Sequence, residues 1–121
     1  MLAGVRSILV IDDESDIVDP IKRFLQKQGF KAYGFTDPLL AFEYFKNNSN
    51  SIDLVLCDIR MPQMNGYELI RRIKTLQPKV RVILISAFEI NDLEFSKVLP
   101  SVKIDGFIPK PVSLKKTNGQ N

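Results

Sequence analysis

The sequence contains no histidine, and that absence removes more chemistry than any residue present. Ser-His-Asp and Cys-His catalysis, zinc sites that need histidine, and a phosphohistidine carried on this chain are all excluded. Cysteine occurs once, as Cys57. An internal disulfide is therefore impossible, and the position of Cys57 within an apolar run marks a small core residue rather than a reactive thiol. No apolar run approaches membrane-spanning length. The first run, residues 8–11, is too short for a signal peptide and ends in acids, so the chain reads as cytoplasmic and not membrane-bound. The densest basic segment (Arg71, Arg72, Lys74, Lys79, Arg81) has no interleaved aromatics, so it reads as a solvated helix face and not a nucleic-acid surface.

What is present fits one domain. A chain of 121 residues, 45% hydrophobic and 26% charged with a net charge of +3, can bury one full core and lacks the length for a second. Residues 54–57 are continuously apolar, the pattern of a strand covered on both faces, and Asp58 is the first polar residue where that run stops. Met61-Pro62 keeps the strand from running straight into a helix, and Asn65-Gly66 supplies turn and cap chemistry for the helix that follows. Asp58 is thereby expected on a short loop over a rigid strand.

The remaining segments repeat this alternation. Residues 6–11 predict a first strand, and Ile17, Ile21, Phe24, Leu25 and Gln28 mark a helix closed by Gly29. Pro20 within it predicts a late helix start or a kink. Residues 31–35 form a second strand, suited to a sheet edge. Asp37-Pro38 starts a second helix, residues 53–57 are the third strand, and Leu69, Ile70, Ile73 and Leu76 share one face of a third helix that Pro78 stops. A fourth strand over 80–85, a weaker helix over 90–99 and a fifth strand over 104–108 complete the order. Strands alternating with helices predict an α/β doubly wound parallel sheet with right-handed crossovers. In such sheets ligands bind beyond the carboxyl ends of the strands, which brings Asp12, Asp58, Ser86 and Lys110 together.

Three carboxylates (Asp12, Asp13, Asp58) gathered at one point repel one another unless a cation joins them. Magnesium suits such a site, since it takes one or two carboxylates, keeps waters and accepts phosphate oxygens. Asp58 is then placed to act as a nucleophile toward phosphorus. Lys110 can neutralise the transferred group from the other side, and Ser86 can donate a hydrogen bond to it. Each residue alone has a plainer reading, as helix cap, loop acid, strand-end hydroxyl or surface lysine; their joint placement at successive strand ends favours the site.

The set Asp12-Asp13, Asp58 with Met61-Pro62 and Gly66, Ser86-Ala87 and Lys110-Pro111 resembles the receiver domain of two-component response regulators, the CheY-like variant of the flavodoxin-like fold. That resemblance implies five strands in the order 2-1-3-4-5. It implies Mg2+ held by Asp12, Asp13, Asp58 and the backbone carbonyl of Arg60, and phosphorylation of Asp58 by a histidine kinase or phosphotransfer protein. It further implies phosphoryl contacts from Ser86, the Ala87 backbone and Lys110, and a switch made by Ser86 and Phe107 that alters the surface offered to a downstream protein. Phe107 also reads as a core aromatic. Pro62, Gly66 and Pro111 take structural roles, with Lys110-Pro111 a cis peptide.

Two departures qualify the match. Residues 113–121 offer too few apolar positions for the last helix of a receiver, so the expectation is a receiver over 1–112 followed by a short polar tail, standing alone or cut short of its natural end. An uncovered sheet face would favour homo-oligomers. Phe88 beside the phosphate approach predicts slow self-dephosphorylation. Two rival functions remain: a receiver-fold interaction module that needs no phosphorylation, and a Mg2+-dependent phosphohydrolase. The second lacks an acid two residues after Asp58, where Arg60 stands.

Overall fold

A computed structural model describes residues 4–86 and 104–110. The elements are β1 (Ser7–Ile11), α1 (Ser15–Lys27), β2 (Lys31–Phe35), α2 (Pro38–Asn48), β3 (Leu54–Asp58), α3 (Gly66–Leu76), β4 (Arg81–Ser86) and β5 (Gly106–Pro109). All strands pair in parallel, in the order β2-β1-β3-β4-β5. This is the expected sheet.

Alternate residues of the inner strands face opposite sides, and the two cores divide accordingly. Leu9, Ile11, Val55, Cys57, Val82 and Leu84 pack with Ala41 and Phe45 of α2 and with Leu69, Ile70 and Ile73 of α3. Ile8, Val10, Leu54, Leu56, Ile83 and Ile85 pack with Val18, Ile21 and Leu25 of α1. Each fully buried aliphatic or aromatic side chain contributes about 1.5–3 kcal/mol relative to exposure. The continuous apolar runs of β1, β3 and β4 follow from this burial on both sides. Cys57 is buried and free, as expected of a core residue.

Helix ends follow local chemistry. The carboxylate of Asp37 accepts from the Leu39 and Leu40 amides, and Pro38 fills the first helical position. Asn65 accepts from the Glu68 amide to open α3. At the end of α1, Gly29 takes φ 98°. Its amide donates to Gln26 O and the next, Phe30, donates to Leu25 O, the paired bonds of a Schellman motif.

Three expectations are refined. The first helix begins at Ser15, before Pro20, so there is no late start. Pro20, the sixth helical residue, has no amide to offer the Asp16 carbonyl, and the buried face of α1 (Val18, Ile21, Leu25) carries the helix through it. Leu76, the last residue of α3, keeps the period of Leu69, Ile70 and Ile73 but is 44% exposed. The fifth strand starts two residues late, at Gly106, since the Asp105 carboxylate is occupied as acceptor for the Val82 amide. The helix expected over 90–99, Phe88 and the tail lie outside the described residues. Among the described residues, no helix is long and apolar enough to cross a membrane.

Candidate functional site

The expected site residues occupy the carboxyl edge of the sheet. Asp12 follows the last residue of β1, and its amide donates to Phe35 O of β2 at 3.1 Å. Asp58 is the last residue of β3 and not a loop residue as expected, because the strand pairs one residue further, with Ile85 of β4. Ser86 ends β4. Lys110 follows β5, and its amide donates to Ser86 O at 2.7 Å, which fixes the height of the lysine relative to the β4 end. Asp12, Asp58 and Ser86 are buried, while Asp13 is exposed.

Parallel pairing in this strand order sets β1 beside β3, so Asp12 and Asp58 are neighbours across one ladder. Single ligand atoms from Asp12, Asp13 and Asp58 all lie within 4.8 Å of one another. Lys110 joins them from the end of β5. Its Nζ stands 2.9 Å from Asp12 Oδ2, 3.5 Å from Asp58 Oδ1 and 3.4 Å from Glu14 Oε2, with the side chain only 10% exposed. The approach to Asp12 is an ion pair without hydrogen-bond alignment, so Oδ2 stays buried with no aligned donor.

Burial pushes the Asp58 carboxyl up from 3.8 to about 6, the neighbouring Asp12 charge adds to the rise, and Lys110 opposes it. Asp12 is raised as well, chiefly by burial and against the pull of the Glu14 amide and Lys110. Burial disfavours the Lys110 ammonium, but its pairing with Asp12 and Asp58 outweighs that and leaves its pKa raised. One lysine therefore does not neutralise the pocket. Three carboxylates whose ligand atoms lie within 4.8 Å of one another, faced by a single ammonium and with Asp12 and Asp58 held above their ordinary range, fit a hard divalent cation.

The loop after β3 fixes Asp58. Ile59 donates to Ile85 O at 3.2 Å, and Gly66 donates to Ile59 O at 2.6 Å, drawing the start of α3 against the strand end. Met61 is buried in the core while Pro62 is exposed, so the pair shapes the loop without entering the pocket. Arg60 is exposed. Phe107 is 38% exposed on β5, so it is not a core aromatic. Ala87 and Pro111 lie outside the described residues. Glu14 was missed as a partner of Lys110; the run Asp12-Asp13-Glu14 was the available signal.

A family model for the response regulator receiver domain matches residues 8–118. The chain belongs to this family. Receivers are signalling domains rather than conventional enzymes. Response regulator GtcR from Aneurinibacillus migulanus is 33% identical over 107 residues, 88% of this chain and 42% of its own length. A response regulator receiver domain protein from Clostridium thermocellum aligns with a TM-score of 0.80 and 32% identity, covering 91% of this chain and 86% of that one. A chain in the CheX–CheY–BeF3–Mg2+ complex from Borrelia burgdorferi aligns with a TM-score of 0.79 and 29% identity, covering 92% and 83%. This receiver spans less than half the length of curated relatives such as GtcR, and 12% of a sensor kinase, CckA from Brucella abortus.

Proposed function

We propose that Asp58 is the phosphoacceptor of this receiver and that Asp12, Asp13, Asp58 and the Arg60 carbonyl hold Mg2+ during the transfer. The observation that carries this reading is the meeting of three acids within 4.8 Å with an ammonium at 2.9–3.5 Å, all at strand ends. Phosphoryl transfer asks the protein mainly for positioning and charge neutralisation, and this pocket supplies both. The Asp58 carboxylate oxygen bonds to phosphorus as the N–P bond of a phosphohistidine on a histidine kinase or phosphotransfer partner breaks. The released imidazole takes its proton from solvent. With its carboxyl at about 6, Asp58 is predominantly ionised at pH 7 and ready to attack. The metal, when bound, offsets the charge brought by the phosphoryl oxygens.

Lys110 pairs with the acids in the resting pocket and is within reach of a phosphoryl group on Asp58. Ser86, at the end of β4, donates to another phosphoryl oxygen, as does the Ala87 backbone. Movement of Ser86 is read out through Phe107, which changes the surface recognised by a downstream protein with higher affinity for the phosphorylated form.

The test is intact mass after incubation with acetyl phosphate and Mg2+, comparing the natural chain with Asp58→Ala. One phosphate adduct that needs both Mg2+ and Asp58 is the expected result. No adduct in a folded sample would replace this reading with the phosphorylation-independent interaction module.

A further inference from the structure

Glu14 is an unusual choice for its place. It is the N-cap residue of α1, where Ser, Thr, Asp or Asn would satisfy a free amide, yet its side chain makes no cap hydrogen bond. Its backbone is fixed all the same: its amide donates to Asp12 Oδ1 at 3.0 Å, and its carbonyl accepts from Ile17 and Val18. The carboxylate turns instead to Lys110, 3.4 Å away and 96 positions along the chain. A local preference set aside at a site edge points to a role at that site.

The other two partners of Lys110, Asp12 and Asp58, belong to the cluster that fits a cation; Glu14 does not. A divalent cation held there draws on the same two carboxylates and repels the ammonium. Resting on the reading of Asp58 given above, we infer that Glu14 is a positioning residue, the anchor that retains Lys110 at the pocket mouth when a metal engages Asp12 and Asp58. Without it, the lysine keeps its pairing with Asp12 and Asp58 and competes with the metal for them. Metal affinity is therefore coupled to Glu14 through Lys110, and the lysine stays poised for the incoming phosphoryl group.

The test is calorimetric titration of Mg2+ into the full chain carrying Glu14→Gln, Lys110→Met, both or neither. In the Lys110 background, Glu14→Gln weakens binding about two- to fivefold, the range of an exposed ion pair. In the Lys110→Met background the same substitution has no effect. Glu14→Ser separates this role from helix capping: it supplies a better cap, so the thermal midpoint holds or rises while Mg2+ affinity falls as in Glu14→Gln. Equal weakening in both backgrounds, no weakening in either, or full Mg2+ affinity in Glu14→Ser would overturn the inference and leave phosphorylation of Asp58 standing. A natural chain that binds no divalent cation at all would overturn both.

Discussion

A Cβ atom at position 66 would stand 2.1 Å from the carbonyl oxygen of Asp58 and 2.8 Å from Ile59 Cα. Glycine is therefore required for α3 to begin directly against the end of β3, and the backbone that presents Asp58 is wedged between that helix and the sheet. Both obstructing groups are main chain, which cannot swing aside as a side chain end can.

Gly66→Ala should cost about 2 kcal/mol, within the usual range for overpacking a rigid contact. Urea unfolding measures the loss. The same substitution displaces Asp58, so phosphorylation by acetyl phosphate should slow even in the fraction that stays folded.

The raised Asp58 carboxyl predicts a definite pH dependence. Folding lifts this group from 3.8 to about 6, so between those values the folded state binds more protons than the unfolded one. The contribution to stability is thus favourable at low pH and is lost as pH rises through about 6. A rise of that size corresponds to as much as ~3 kcal/mol. Thermal melts from pH 4 to 7 with a chelator present should show this component, and Asp58→Asn should flatten it and be the more stable protein at pH 7.

Divalent cation should act in the opposite sense. A metal that binds only the folded pocket stabilises it in proportion to the logarithm of its concentration. Millimolar Mg2+ should raise the melting temperature of the natural chain at pH 7, and Asp58→Asn or Asp12→Asn should lose most of that rise.

Asp53 holds the far end of the sheet. Its Oδ2 accepts from the Arg6 and Ser7 amides at 2.9 and 3.0 Å, joining the entry of β3 to that of β1. Asp53→Ala should cost about 1–2 kcal/mol by leaving these donors without their acceptor. Phosphorylation should be unaffected, because the pocket lies at the opposite edge.

Much of this was legible because burial on both faces writes itself into sequence. The runs 8–11, 54–57 and 82–85 have no polar interruption, so each strand end was marked by its first polar residue, and three site residues followed from that alone. Helix starts were equally plain at Asp37-Pro38 and Asn65-Gly66, where cap chemistry is local. What stayed hidden depended on distance in three dimensions. Nothing near Glu14 announces a lysine at position 110, and nothing near Asp53 announces the amides of β1. Leu76 keeps the helical period but, as the last residue of α3, is left exposed, which periodicity cannot report. Of the two outcomes Pro20 allowed, the late start is excluded, because helix propensity is a weak preference that a well-packed apolar face overrides.

The strand order divides the pocket into halves of unequal durability. Asp12 and Asp58 are carried by β1 and β3, each flanked by strands on both sides, whereas Lys110 is carried by β5, whose four residues pair with β4 alone. Amide exchange should accordingly be slowest beneath the acids and fastest beneath the lysine. Brief fraying of one edge strand would withdraw the cation while the acids keep their places, so the pocket can change its net charge without unfolding.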